Sequence, residues 1–170
     1  MSASVNLNLP ASIWTARDSR ILALNTVATI KLRTSKGLDA DGQKFDGYST
    51  RPITIKKQGA RLKPKGGTPT ANGQGVFYKG GYKEYKKLSR QRTQSGAGQS
   101  AEVDLVLSGQ LMNNIVVLEA SQKGFTIGLT KHVSSYGYHV NDRRQYIGLT
   151  NDEVDILVEA IRYDVLEKLK

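Results

Sequence analysis

The stretch LTNDEVDILVEAIRYDVLEKL, residues 149–169, is the clearest element of the chain. Thr150 followed three residues later by Glu153 has the form of a capping box, in which each side chain accepts a backbone N–H at the other residue. Leu149 and Val154 have the spacing of a hydrophobic staple across that cap. Val154, Leu157, Val158, Ile161, Val165 and Leu169 recur at helical spacing, so a helix is predicted over 151–169 with one buried face. A one-faced helix needs a second layer, and the residues before it read as strands.

In VVLEASQKGFTIGLT, residues 116–130, a hairpin is predicted around SQKG, with Ile115, Val117, Phe125, Ile127 and Leu129 facing inward. Val103, Leu105 and Leu107 alternate with Asp104, Val106 and Ser108 as in a strand, and SGQLMNNI after them reads as a turn or short helix capped by Ser108. Towards the start, LPASIWTARDSRILALNTVATIKLR has no glycine and carries Pro10 where a first helical turn accepts it. A helix is predicted over about 10–34, with Ile13, Trp14, Ile21, Leu24, Ala28 and Leu32 as the stripe that lies on the sheet. The fold class that follows is α+β: a small, mostly antiparallel sheet packed by an N-terminal and a C-terminal helix.

The 170 residues fit one domain, 1–170, with an ordinary core. No run is long and apolar enough for a membrane helix, and MSASVNLNLP lacks the basic and apolar regions of a signal peptide, so a cytosolic protein is expected. The absence of cysteine excludes disulfides, thiolate zinc sites and cysteine nucleophiles.

The net charge of +10 is unevenly spread. Residues 51–92 hold twelve Lys and Arg against Glu84 alone, and the remainder sums to −1. The same region contains KPKGGTPTANGQG and QRTQSGAGQS, tracts too poor in apolar residues to offset ordering entropy. Residues 58–100 are therefore expected to form a long basic, low-complexity arm inserted in the domain. Within it, VFYKGGYKEYKKLSR interleaves Tyr82 and Tyr85 with Lys83, Lys86, Lys87 and Arg90, a pattern able to dock on a neighbour or to stack bases and neutralise phosphates.

Sites of chemistry are scarce. RTSKGLDADGQKFDGYST, residues 33–50, has Asp39, Asp41 and Gly42 as a fragment of a calcium loop, but Tyr48 stands where the glutamate belongs. An Asp-Gly turn is the expected structure. His132 and His139 have no carboxylate cluster in sequence beside them, and no nucleophile elbow or phosphate loop is present. In SSYGYHVNDRRQYIGL, a phosphodiester-cleaving set of His139, Arg143, Arg144 and Tyr146 is outweighed by a packed turn or interface before the last helix. No cofactor, no metal and no enzyme is expected.

Four pieces in this order carry a resemblance: IKLRTSKGLDADGQKFDGYS, GGYKEYKKL, VDLVLSGQLMNNI and NDRRQYIGLTNDEVDIL. Together they resemble the tail-completion, neck and virion-morphogenesis proteins of tailed bacteriophages, the tail terminators among them. In SGQLM the methionine comes one residue later than usual, and Tyr146 replaces a frequent phenylalanine. The resemblance implies a structural virion protein that forms a homo-oligomeric ring, commonly hexameric, at the head–tail junction. Its partners would be the head connector and the tail-tube or sheath proteins, its location the virion, and the host cytoplasm during assembly. It implies no membrane and leaves contact with viral DNA in the channel open. Phe45 and Tyr48 would be docking side chains of the connection after the first helix. Interface residues on this reading are Phe45, Tyr48, Tyr82, Lys83, Tyr85, Lys86, Lys87, Arg90, Arg143, Arg144 and Tyr146. The alternative is a basic nucleic-acid-binding protein acting through the Lys, Arg and Tyr of the arm.

Overall fold

A computed structural model describes residues 2–60, 63–89, 103–106 and 109–170. Helices and small antiparallel sheets alternate in it, an α+β fold. The chain divides into two compact units, Met1–Phe45 with Leu111–Lys170, and Asp46–Gln110.

In the first unit, strands β1 (Ser2–Asn6), β5 (Ile115–Ser121) and β6 (Gly124–Leu129) form an antiparallel sheet in the order β1-β6-β5. The β5–β6 hairpin is the expected one, and Ile115, Phe125, Ile127 and Leu129 are buried on it. Val117 is half-buried, next to a bulge that leaves Leu118 exposed. Strand β1 escaped the sequence reading; its Ala3 and Val5 lie opposite Ile127 and Phe125. Gly124 holds φ at +137°, and a Cβ there would come within 1.9 Å of the Val5 carbonyl oxygen. Gly124→Ala should therefore displace β1 and lower stability by about 1–3 kcal/mol, the usual cost of overpacking, read as a fall in Tm. An unchanged Tm would mean that β1 contributes nothing to the fold.

Helix α1 (Ala16–Ser35) packs on β5 and β6. Its start and its buried face both differ from expectation. Pro10 accepts from the N–H groups of Ile13 and Trp14 in a separate turn, and the helix begins after Thr15, which forms a capping box with Asp18. The cap satisfies orphan N–H groups that Pro10 cannot reach. The buried face is Ser19, Leu22, Ala23, Thr26, Val27, Ile30, Arg33 and Thr34, whereas Ile21, Leu24, Ala28 and Leu32 are exposed on the opposite side. Small residues let the helix sit close to the sheet, and several of its polar groups are matched. Trp14 Nε1 donates to Ser19 Oγ at 2.7 Å, and Thr26 Oγ1 to the Leu22 carbonyl at 2.8 Å.

After α1 the chain makes a tight loop. Asp39 Oδ1 accepts from the N–H groups of Asp41 and Gln43, Gly42 takes φ +78°, and Leu38 bridges Lys44. This is the Asp-Gly turn anticipated for the stretch, with the Asp39 carboxylate spent on backbone.

Helix α4 (Lys131–Arg143) lies where the sequence reading placed only a packed turn or interface. Val133, Gly137 and Asn141 form its buried face. Gly137 admits Leu129, whose Cδ1 would be 2.2 Å from an added Cβ. Helix α5 (Asn151–Lys168) has the expected capping box. Its burial is less than expected: Leu157, Ile161 and Val165 are half-buried, Val154, Val158 and Leu169 are exposed, and none of its residues is fully buried.

The second unit contains β2 (Ile53–Lys56), β3 (Thr68–Pro69) and β4 (Gly75–Tyr78) in the antiparallel order β2-β4-β3, followed by α2 (Gly81–Ser89). Residues expected as part of a loop thus fold locally. Val76, Tyr78 and Tyr85 form a small core with Ile53, Ile55, Tyr82 and Leu88. The glycines and threonines of GGTPTANGQG shape a hairpin: Thr70 Oγ1 accepts from Gly75 N, and a Cβ on Gly67 would come within 2.6 Å of the Phe77 carbonyl oxygen. The unit starts at Asp46 rather than at residue 58 because β2 pairs with β4. Residues 61–62 and 90–100 of the expected arm lie outside the described residues. Val103–Val106 is not a strand; Leu105 has φ +53° and Asp104 Oδ1 accepts from Val106 N, while Leu107 and Ser108 lie outside the described residues. The short helix after them is α3 (Gln110–Asn113).

Candidate assembly surface

In the first unit, α1 and α5 run antiparallel, joined at both ends. Near the start of α1, Asp18 meets Lys168 of α5 at 2.7 Å; near its end, Arg33 pairs with Glu153. Both pairs are separated by fifteen residues along their helices, about 22 Å of axial rise. Equal spacing is what lets two straight antiparallel helices satisfy both contacts together.

The Arg33 end is the buried one. The guanidinium also donates through Nη2 to the carbonyls of Tyr146 and Gly148, at 2.8 and 3.1 Å. Glu153 accepts from Thr150 N, so one carboxylate caps α5 and holds α1. At the other end the Lys168 ammonium lies 5.3 Å from the centroid of the Trp14 ring. Its hydrogen bond holds the Asp18 carboxyl below its ordinary pKa, against an opposing effect of burial. A group whose pKa is lowered by folding contributes stability above its unfolded value, and that contribution is lost as pH falls through the folded one. The stability difference between wild type and Asp18→Asn should therefore narrow as pH drops from about 5 to 2 in thermal melts. A constant difference would show that Lys168 does not act on this carboxylate.

The outer side of α1 is apolar, and α5 also exposes large apolar side chains. Ile21, Leu24 and Leu32 on α1 are 50%, 52% and 58% exposed, in line along one face with Ala28. Helix α5 exposes Val154, Ile156, Val158, Tyr163 and Leu166, and its C-cap residue Leu169 is exposed as well. A helix apolar on both sides is normally buried on both sides. On α1 the three large side chains lie along one face as a stripe and are not scattered singly.

In the second unit, Lys86 is fully buried, ion-paired with Asp104 at 2.5 Å and 4.5 Å from the Tyr48 ring centroid. Tyr48, Tyr82, Tyr85 and Tyr78 form a chain of edge-to-face contacts with centroids 5.2 to 5.9 Å apart. Gly81, at φ +70°, brings the start of α2 against the 49–51 segment, and Lys83 N donates to the Ser49 carbonyl.

The residues singled out from sequence are thus divided. Lys83, Lys87 and Arg143 are exposed; Phe45, Tyr48, Tyr82 and Arg144 are half-buried. Tyr85, Lys86 and Tyr146 are buried, so they build the interior and do not face a partner. Tyr146 N donates to Asn141 Oδ1 at 3.1 Å, and burial, then the nearby Tyr136, raises its phenol pKa. Arg90 lies outside the described residues. The sequence reading missed Ile156, Tyr163 and Leu166, and it assigned Ile21, Leu24, Ala28 and Leu32 to the core where they are exposed.

Among the described residues, no three His, Cys, Asp or Glu side chains cluster as metal ligands, and no helix is long and apolar enough to cross a membrane. No family model matches the chain, and neither a curated protein nor a solved structure is significantly similar to it.

Proposed function

We propose that this chain is a structural subunit of a tailed-phage virion that assembles as a ring at the head–tail junction, in the neck or as a tail terminator. The observation that carries the assembly half of this reading is the outer stripe Ile21, Leu24, Ala28 and Leu32 on a helix whose other face is already packed on a sheet. Such a stripe is stable in water only at a cost that an adjoining protein of the junction removes. The phage half rests on the ordered motifs of the sequence. The adjoining proteins would be the head connector and the tail tube or sheath, and the subunit would carry no catalytic role.

A basic nucleic-acid binder is the second reading, favoured by exposed Lys79, Lys83 and Lys87. The tyrosines weaken it, because Tyr78 and Tyr85 are buried and offer no face to a base. Electron microscopy of phage particles built with a gold-labelled C-terminal tag tests the assignment. Label at the head–tail junction is expected; label confined to the capsid shell, or absent from particles, would overturn it.

A further inference from the structure

The side of α5 away from its half-buried stripe has a composition of its own. Asp152, Asp155, Ile156, Glu159, Tyr163 and Leu166 follow one another at helical spacing and are all exposed. Three carboxylates, gathered towards the start of the helix, thus share this face with three large apolar side chains. Over Asn151–Lys170 there are six acids against three bases, a net charge of −3. Glu159 lies 3.6 Å from Arg162 in a surface pair, the kind that exchanges partners readily.

A face with a net negative charge is complemented by a basic surface. Its complement is on the same chain. Asp46–Gln110 carries twelve Lys and Arg against four acids, a net charge of +8. On its helix α2, Lys83 and Lys87 are one turn apart and exposed, with Lys79 exposed just before the helix.

Resting on the ring reading above, we infer that this acidic, apolar face of α5 docks on the basic unit of a second copy, around Lys79, Lys83 and Lys87. The contact joins two different surfaces, so each copy has one of each to offer. Head-to-tail contacts of this type close into rings or run on as filaments, whereas an isologous contact stops at a dimer. Ile156, Tyr163 and Leu166 supply the area that leaves water, and the charges supply attraction and register.

Two complementary variants test this in full-length protein. Ile156→Lys with Tyr163→Lys and Leu166→Lys blocks the α5 face, and Lys79→Glu with Lys83→Glu and Lys87→Glu blocks the basic one. All six positions are exposed, so unchanged circular dichroism and cooperative melting are expected of both. Each variant alone should sediment as a monomer, and their mixture should form a one-to-one dimer and nothing larger, since one intact face of each remains. Dimer formation should weaken as salt is raised. Should wild type form a ring that the α5 variant also forms, the docking assignment is wrong while the ring reading stands. A wild-type chain that stays monomeric overturns both. If the basic variant keeps its mass but loses DNA binding, the lysines serve nucleic acid and the inference fails.

Discussion

Replacing Asp104 by alanine is expected to destabilise the protein by about 3–5 kcal/mol, since it leaves the Lys86 ammonium buried without its counter-charge. Lys86 is fully buried beneath Tyr48 and beside the tyrosine core, and the Asp104 side chain is only 12% exposed. A charge in such surroundings cannot be re-solvated without opening the small core around it. The double variant Lys86→Met with Asp104→Leu should recover much of the loss, because two apolar groups of similar volume do not need each other. Urea denaturation of the single and double variants reads both effects. A loss for Asp104→Ala below about 1 kcal/mol, the range of surface ion pairs, would place the pair in water and contradict the buried arrangement.

Arg33→Ala is expected to be of similar size, again about 3–5 kcal/mol. One guanidinium holds three partners: Glu153 at the start of α5, and the carbonyls of Tyr146 and Gly148 in the turn before it. Its removal strands a carboxylate and two carbonyls together. Arg33→Lys should rescue only part of this, since an ammonium cannot reproduce the planar fork. Denaturation curves of Ala, Lys and wild type should fall in that order of rising stability. If lysine were equivalent to arginine, the carbonyl contacts would carry no energy.

Much of the fold was legible in the sequence. The Thr150–Glu153 box and the β5–β6 hairpin follow from local chemistry, which a single sequence states directly. What was not legible depended on partners distant in the chain. Strand β1 is a short polar alternation that acquires its meaning only from β6, and α4 is built from Ser, Tyr, His, Asn and Gly, residues of middling or poor helix propensity. The stripe on α1 was found but assigned to the wrong side, because periodicity identifies an apolar face without saying whether the sheet or a partner covers it. In the second unit, low-complexity composition concealed a hairpin whose glycines are required by close approach.

The candidate surface shows the same division. Lysines and tyrosines read as one interleaved arm separate in three dimensions: tyrosines build an interior, Lys86 joins it, and Lys83 and Lys87 remain outside. The spacing of VFYKGGYKEYKKL admitted both arrangements.

Sedimentation velocity on the purified wild-type chain tests assembly most directly. A ring subunit should sediment at several times its 18.7 kDa mass, with a discrete copy number that persists on dilution until it dissociates to monomer. A single 18.7 kDa species at every concentration, binding DNA with a steep salt dependence, would contradict the ring and favour the nucleic-acid reading.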